Sequence, residues 1–360
     1  MTKNTKTKQS KSVSHAKTSQ FQQFLKKRWV KIIGGVLAGL ALLTLTADWW
    51  NPIVFPPVDN PNYGVSFSAK RARELDLEPH KVITALLDDM EIKNYRLMSY
   101  WDDIEASRGQ FDFSELDWQI EQVGLRGGTV SLAIGLRQPR WPECHQPEWA
   151  SQLTGHTWKQ ALYAYMEQVV KRYEDNPTVT SWQLENEGVN NWFGTCDKPD
   201  RERLYEEVDL VKEWSKTPIW MSLSDQHGYP VNQPIPDKFG YSVYRWVWND
   251  KTGPFNGYII YPTPIWYHQL RAAIIQATTK TDIFIHELQL EPWGPIDTKY
   301  LSVEEQDKSM SPEQIGKSIK FARMIGKEDI YVWGGEWWYW RREHGDDTIW
   351  NTVKAELARR

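Results

Sequence analysis

Two glutamates stand where this chain could carry out acid–base or nucleophilic chemistry. Glu187 and Glu287 each lie in or just after a short apolar run that predicts a β-strand, and a hundred residues separate them. Two carboxyl groups facing each other across a cleft can cleave a glycosidic bond, because one protonates the leaving oxygen while the other attacks the anomeric carbon or activates water. Position alone leaves a second interpretation open, in which each glutamate is a solvated residue at a strand end.

A metal site is the alternative chemistry that the residue types allow. Asp225, His227, His286 and Glu185 could form a mixed carboxylate and histidine site for zinc or manganese. No tight motif such as His-Glu-x-x-His accompanies them, so we favour polar residues that support the interior of the fold. A glycine-rich phosphate loop before a helix is also missing, and we expect no cofactor.

The charge distribution narrows the classes of partner. The formal net charge is −4, but nine of the 43 Lys and Arg lie in residues 1–31 and no acidic residue precedes Asp48, so the remainder of the chain is strongly acidic. A nucleic-acid-binding domain needs a basic surface, and we therefore exclude one. The same acidic charge favours a neutral or cationic small molecule or polymer as ligand, and the 21 Trp favour a sugar.

Apolar runs alternate with amphipathic stretches from Tyr63 onward. The predicted strands are Tyr63–Ser66, Asn94–Met98, Gly128–Ile134, Val179–Glu185, Pro218–Leu223, Gly240–Tyr244, Asp282–Leu288 and Asp329–Trp333. The predicted helices are Pro79–Met90, Phe113–Leu125, Thr157–Tyr173, Arg201–Lys216, Ile265–Ala277, Ser311–Met324 and Thr348–Ala358. Eight strands alternating with helices favour an α/β fold of the (β/α)8 TIM-barrel type over a doubly wound sheet. Active sites of such barrels lie on the loops after the strands.

The residues around these strand ends resemble clan A retaining glycoside hydrolases, and most closely the cellulase-like family 5 and its neighbours. Ser181-Trp182-Gln183-Leu184-Glu185-Asn186-Glu187 is similar to the clan's fourth strand, and Phe284-Ile285-His286-Glu287-Leu288-Gln289 to its seventh. The resemblance implies that Glu187 is the general acid/base and Glu287 the nucleophile. It also implies that Asn186 contacts the hydroxyl next to the anomeric carbon, that Arg96 orients Glu287, and that Tyr244 contacts it.

Aromatic residues at strand ends are the remaining candidates for substrate binding. Sugar rings have apolar faces that stack on flat aromatic side chains. We predict such contacts for Trp101, Trp192, Trp293, Trp333 and Trp337. Glu291 precedes Pro292 and shares strand parity with Glu287, so we place it in a substrate subsite at the rim rather than at the attacking position.

The first sixty residues predict a membrane anchor. Residues 1–28 form a basic tail that we expect to be disordered and cytoplasmic, residues 29–50 a transmembrane helix, and residues 51–62 a linker to a catalytic domain over residues 63–360. Trp29, Trp49 and Trp50 suit the interfacial belts of a bilayer. A signal peptide cleaved after Ala47, which would release a secreted protein, is the alternative.

The two cysteines, Cys144 and Cys196, exclude zinc ribbons and Cys-x-x-Cys redox sites by number and spacing. They fall in the loops after the third and fourth strands, which are neighbours in a barrel. Outside the cytoplasm they could pair, and we predict a disulfide, with two separate buried thiols as the alternative. A loop of this length would contribute about 4 kcal/mol under the chain-entropy model.

Together these inferences predict a membrane-anchored (β/α)8 glycosidase. We expect it to cleave a β-linked polysaccharide or oligosaccharide outside the cytoplasm by double displacement. Two other classes stay open. One is a carbohydrate-binding barrel without turnover, and the other is a metal-dependent barrel hydrolase or isomerase. The sequence does not determine the sugar, the linkage or the oligomeric state.

Overall fold

The computed structural model describes residue 26 and residues 28–223, 227–251 and 253–359. The chain divides into two compact units, Met1–Pro56 and Pro57–Arg360. The tail predicted over residues 1–28 lies outside the described residues apart from 26 and 28.

The described part of the first unit consists of two helices, α1 (Arg28–Leu45) and α2 (Ala47–Val54). The mean hydropathy of α1 is 1.6 and its side chains are exposed. Eighteen residues rise about 27 Å, close to the roughly 30 Å of a bilayer's hydrocarbon core. By length and composition α1 could cross a membrane, and a signal sequence would have the same properties.

The structure places a turn and a second helix within this segment. The predicted span over residues 29–50 is interrupted by a turn at Thr46, and residues 51–54 of the predicted linker belong to α2. The hydroxyl groups of Thr44 and Thr46 donate back to the carbonyls of Leu40 and Leu42, at 2.8 and 2.7 Å. Such back-bonding competes with the regular helical pattern and accompanies bends.

The described residues of the second unit form ten strands. They are β1 (Asn62–Ser66), β2 (Asn94–Met98), β3 (Thr129–Ile134), β4 (Val179–Leu184), β5 (Ile219–Ser222), β6 (Lys238–Val243), β7 (Trp246–Asn249), β8 (Gly257–Ile260), β9 (Asp282–Gln289) and β10 (Asp329–Trp333). Eight of them close into a parallel barrel in the order β1-β2-β3-β4-β5-β6-β9-β10, and β7 pairs with β8 in a separate antiparallel ribbon. The predicted TIM barrel is confirmed.

Helices follow the strands as the barrel requires. They are α3 (Ala69–Glu74), α4 (Pro79–Asp88), α5 (Trp101–Ile104), α6 (Ser114–Leu125), α7 (Gly155–Tyr173), α8 (Arg201–Trp214), α9 (Ile265–Thr279), α10 (Val303–Gln306), α11 (Pro312–Ile325), α12 (Gly335–Glu343) and α13 (Thr348–Ala358). Three 3-10 turns lie at Glu148–Gln152, Gly253–Phe255 and Thr298–Tyr300. α11 starts with the capping box that Ser311 and Gln314 form.

The sequence analysis misses α12 and the β7–β8 ribbon. Seven consecutive residues of α12, from Gly335 to Arg341, are buried. A helix buried on all sides has no polar face, so its sequence lacks the amphipathic period by which helices are recognised. The ribbon follows β6 directly, within a stretch that we expected to lead into the next helix.

A layer of polar side chains lies inside the barrel near the carboxyl ends of the strands. Each is at most 6% exposed, and the layer comprises Ser66, Arg96, Gln183, Ser222, Ser242 and Glu287. Buried polar groups are costly unless they are hydrogen-bonded, so the pairing of this layer determines how its members are oriented.

The seventh barrel strand, β9, contains a bulge at His286. Tyr241 pairs with Ile285 and Ser242 with Glu287, so β9 uses one extra residue against β6. A bulge places neighbouring side chains on the same side of a strand. Gly240 makes room for it, because a Cβ there would lie 2.6 Å from the Cβ of His286.

Candidate active site

A cleft of about 560 Å³ is lined by residues from the loops after the barrel strands. Several of the predicted site residues line it together: Asn186, Glu187, Trp192, Tyr244, Glu287, Trp293 and Trp333. Ligand clefts of this size accommodate sugar-sized or larger molecules. The two glutamates that the sequence pairs across a hundred residues therefore share one cavity.

Glu187 is positioned by a sharp turn at the end of β4. Glu185 and Glu187 have φ values of 51° and 48°, a left-handed conformation that is uncommon for residues other than glycine. The amide of Asn186 donates to the carbonyl of Arg137 at 2.7 Å, and that of Glu187 donates to Ser222 Oγ at 2.6 Å. Unusual backbone held by such contacts is common at functional sites.

The surroundings of Glu187 favour its protonated form. Burial raises the pKa of this carboxyl well above its usual range, and the nearby carboxyl groups of Glu287 and Glu143 raise it further. Asn190 Nδ2 donates to Oε2 at 2.7 Å and opposes this rise in the pKa, and Ser242 Oγ donates to Oε1 at 3.2 Å. A carboxyl that retains its proton near neutral pH is suited to general acid catalysis.

Glu287 is held as an acceptor by two donors. Arg96 Nη1 donates to Oε1 at 2.7 Å and Tyr244 OH donates to Oε2 at 3.0 Å. Burial raises the pKa of Tyr244 well above its usual range, with the Glu287 charge adding to the effect, so the phenol stays a donor. Burial and Arg96 lower the pKa of His286 well below its usual value, which keeps that ring neutral. Glu287 thus has a fixed orientation and a cationic partner.

Arg96 and Asn186 connect the two glutamates. Arg96 is 2% exposed and lies beneath the cleft, so it contacts Glu287 rather than the open cavity. Its Nη2 donates to Asn186 Oδ1 at 2.7 Å. Gln183 accepts a hydrogen bond from Arg96 Nε, and the planar guanidinium therefore links β2, β4 and β9.

A second charged cluster lies along the cleft around Arg140. Its guanidinium donates from Nη2 to Glu336 at 2.7 Å, bonds Glu291 through Nη1, and lies 3.9 Å above the ring of Trp333. Trp333 Nε1 also donates to Glu291 Oε1, at 2.7 Å. Glu291 therefore has its own partners and does not share the Arg96 and Tyr244 contacts of Glu287.

Aromatic rings run along one side of the cleft towards Glu287. The ring centroids of Trp141 and Trp192 lie 5.9 and 6.0 Å from that of Phe193, which lies 5.9 Å from Trp293, and Trp293 lies 5.4 Å from Tyr244. Trp141 is 59% exposed and Trp192 is 51% exposed. Large exposed aromatic rings at a cleft mark a binding surface rather than core packing.

Cys144 and Cys196 are joined in a disulfide with a Cα separation of 5.4 Å. The bond ties the loop after β3 to the loop after β4. Thr195 N donates to Pro142 O at 3.0 Å, and a Cβ at Gly194 would lie 2.8 Å from Glu143 Cβ. The two loops that carry Glu143 and Glu187 therefore form one tightly packed rim.

Two predicted contacts are corrected, because Trp101 and Trp337 lie away from the cleft and are fully buried. Trp101 stacks on Tyr165 with centroids 5.7 Å apart and donates to Glu105 at 2.8 Å. Trp337 donates to Gln306 at 2.9 Å. Each indole N–H is satisfied inside the protein, so both side chains belong to the packing around the barrel.

Of the residues considered for a metal site, Glu185 already has hydrogen-bond partners inside the protein. Glu185 accepts from the amides of Leu136 and Arg137 and from Arg203, at 2.6, 2.9 and 2.8 Å. Asp225 lies outside the described residues. Among the residues that are described, no group of three or more His, Cys, Asp or Glu could hold a metal ion.

The sequence analysis does not identify Glu143 as a site residue. It is 4% exposed, lines the cleft, and comes from an irregular loop with no periodicity to mark it. The only signal in the sequence is its position immediately before Cys144. Phe193 and Ser242 line the cleft as well and were also not predicted.

Comparisons with known proteins place part of this chain beside β-galactosidases. The model of glycoside hydrolase family 42, described as β-galactosidase, matches residues 78–221. The β-galactosidase BbgII of Bifidobacterium bifidum is 28% identical over 163 residues, which are 39% of this chain and 23% of that protein. The range that the family 42 model matches, residues 78–221, contains Arg96, Asn186 and Glu187 and ends before Glu287.

Solved structures show the same fold. A β-galactosidase from the Antarctic haloarchaeon Halorubrum lacusprofundi aligns with a TM-score of 0.53 and 13% identity, covering 82% of this chain and 57% of that one. A GH5_18 protein from Streptomyces cattleya in complex with GlcNAc aligns with a TM-score of 0.51 and 13% identity, covering 76% and 70%.

The match to the family 42 model supports the resemblance to clan A glycoside hydrolases, and the solved structures support the TIM-barrel fold. The chain spans about a quarter of the length of the curated relatives that it matches.

Proposed function

We propose that this chain, a TIM-barrel glycoside hydrolase of clan A, is a retaining glycosidase that uses Glu187 as acid/base and Glu287 as nucleophile. One observation carries the proposal: the cleft holds a glutamate whose pKa is raised beside a glutamate that an arginine holds as an acceptor. Pairs of carboxyl groups whose surroundings push their protonation apart are the basis of glycosidase chemistry.

The first half of the reaction forms a glycosyl-enzyme. A Glu287 carboxylate oxygen attacks the anomeric carbon and forms a carbon–oxygen bond, while the bond from that carbon to the leaving group breaks. The proton of Glu187 goes to the leaving oxygen. Arg96 and Tyr244 fix the direction of attack, because each donates to a different oxygen of Glu287.

The second half releases the sugar. Glu187, now a carboxylate, takes a proton from water, and the water oxygen attacks the anomeric carbon as the bond to Glu287 breaks. Once Glu287 is esterified its charge is lost, which removes one cause of the raised pKa of Glu187. The same group can therefore act first as acid and then as base.

The row of aromatic rings formed by Trp141, Trp192, Phe193, Trp293 and Tyr244 supports a neutral carbohydrate substrate with more than one sugar ring. Trp141 and Trp192 are the exposed members of this row, whereas Trp293 packs against Tyr244, which donates to Glu287. Stacking on such rings suits pyranose faces. The names of the relatives, which are β-galactosidases, make β-linked galactosides the first substrates to test.

Turnover on a panel of glycosides tests the proposal. We expect hydrolysis of at least one β-linked galactoside, glucan, mannan, xylan or amino-sugar oligosaccharide, with kcat/KM rising with chain length. Trp192→Ala should lower kcat/KM on long substrates by about 5-fold, since one aromatic contact contributes about 1 kcal/mol, and leave aryl monosaccharides unaffected. Saturable binding of sugars without any turnover would instead indicate a carbohydrate-binding barrel.

We further propose that residues 29–50, which include most of α1, anchor the protein in a membrane with its catalytic domain outside the cytoplasm. The basic residues before α1 support a cytoplasmic N-terminus. The full chain should remain in the membrane pellet after a carbonate wash, because a helix of this hydropathy partitions into lipid. A mature soluble form that begins at Asp48 would show cleavage and would contradict the anchor.

A further inference from the structure

The carboxyl group of Glu143 lies in the cleft with Glu187 and Glu287 and has no role in the reaction described above. It is 4% exposed and has a φ of 72°. The neighbouring disulfide and the close approach of Gly194 fix its backbone. A buried carboxyl held this firmly at a reaction centre calls for a physical explanation.

The first contact of Glu143 is with Asn186. Asn186 Nδ2 donates to Glu143 Oε2 at 3.0 Å, while Asn186 Oδ1 accepts from Arg96 Nη2 at 2.7 Å and from Ser222 Oγ at 3.3 Å. The amide is therefore fixed at both ends and cannot rotate without losing hydrogen bonds. One N–H of Asn186 Nδ2 remains for a ligand, because Glu143 accounts for the other.

The charged groups around Glu143 come from four elements. Arg137 in the same loop lies 3.5 Å from Oε2, and Arg96, Glu187 and Glu287 face it from β2, the end of β4 and β9. Burial raises the pKa of Glu143 to about 8, in spite of the opposing effect of Arg137. In return, the Glu143 charge contributes to the raised pKa of Glu187.

We propose that Glu143 is a further positioning residue of this site, which fixes the Asn186 amide against Arg96 and helps to keep the proton on Glu187. The inference rests on the proposed glycosidase function. Glu143 acts through Asn186 and Glu187. The effect of its removal on kcat/KM should therefore depend on whether Asn186 is present and on the pH.

The first test is a double-mutant cycle on the full chain in detergent. Glu143→Ala should lower kcat/KM by about 10–100-fold, since a misplaced contact at the reacting centre costs that much. Glu143→Gln retains an acceptor for Asn186 and should stay within about 3-fold of wild type below pH 7. The double variant Glu143→Ala/Asn186→Ala should be no worse than Asn186→Ala alone, because residues that act as a unit are not additive.

The second test is the pH profile. Above pH 8 the ionised Glu143 stabilises the proton on Glu187, and glutamine cannot do so. Glu143→Gln should therefore move the alkaline limb of kcat/KM to lower pH, by about half a unit or more. Glu148→Gln is the matched control, because Glu148 is an exposed carboxyl close by in the sequence. Glu148→Gln should leave the alkaline limb of kcat/KM unchanged.

The result that overturns the inference is an additive cycle together with an unshifted alkaline limb in Glu143→Gln. Thermal unfolding identifies a variant that is simply destabilised, and Glu143→Gln keeps the test valid if Glu143→Ala does not fold. Carbon-13 NMR of labelled glutamate carboxyls separates the inference from the proposed function. A resonance that titrates near pH 8 and is lost in Glu143→Gln supports the inference even without turnover, and its absence contradicts it.

Discussion

Glu287→Ala is expected to lose turnover by about 10⁴-fold or more, because loss of an attacking group removes the covalent route entirely. Sodium azide should restore part of the activity on an aryl glycoside. The anion enters the space that the carboxylate leaves beside Arg96, and it attacks the anomeric carbon from that side. The product should be a glycosyl azide of inverted configuration, which NMR identifies directly.

Two further variants serve as controls for this experiment. Glu291→Gln should cost much less than Glu287→Ala, because Glu291 is bound to Arg140 and Trp333 instead of Arg96 and Tyr244. Glu148→Gln, at an exposed carboxyl, should match wild type. Near-wild-type activity in Glu287→Ala, or inverted azide from Glu291→Ala alone, would mean that the nucleophile is wrongly assigned.

The second large effect is expected for Glu187→Ala. Removal of a general acid typically costs about 10²–10⁴-fold, and the loss should be greatest for leaving groups that need protonation. With a dinitrophenyl glycoside, which departs without a proton, formation of the glycosyl-enzyme should be nearly normal and its hydrolysis slow. Azide should accelerate that second step and yield the glycosyl azide of retained configuration.

The pH dependence follows from the same residue. Glu187 acts while protonated, and its pKa is raised, so kcat/KM of wild type should fall at alkaline pH, above the usual range of a glutamate. In Glu187→Ala on the dinitrophenyl glycoside this alkaline limb should be absent. An unchanged alkaline limb would show that another group supplies the proton, and Glu143 would be the first to examine.

The sequence alone determined the barrel and the strands that carry Glu187 and Glu287. The bounds of β2, β10 and α13 agree with those predicted, because their apolar runs are short and lie between clear turn or capping residues. The Asn186-Glu187 pair could be located because it directly follows an apolar run that clearly predicts a β-strand. The partners of these residues lie far away in sequence and could be named only through a family resemblance.

The tertiary structure decided which candidates meet. Trp101 and Trp192 look alike in sequence, since both follow a predicted strand, but one is fully buried against Tyr165 and the other is half exposed at the cleft. Local pattern does not separate them, because burial depends on which helices and loops cover a strand end. Glu143 was likewise hidden, because its importance comes from a hydrogen bond to Asn186 across two loops.

The bulge at His286 shows most clearly which features the sequence determined and which the tertiary structure decided. Alternation along a regular strand places Glu287, Gln289 and Glu291 on one face, so strand parity by itself does not separate the two glutamates. The extra residue in β9 breaks the alternation, so His286 reaches Ser242 while Glu287 reaches Arg96. Sequence determined that a carboxylate would stand near this depth in the barrel. Its orientation was fixed by long-range contacts, because a bulge forms only where the neighbouring strand, here at Gly240, leaves room for it.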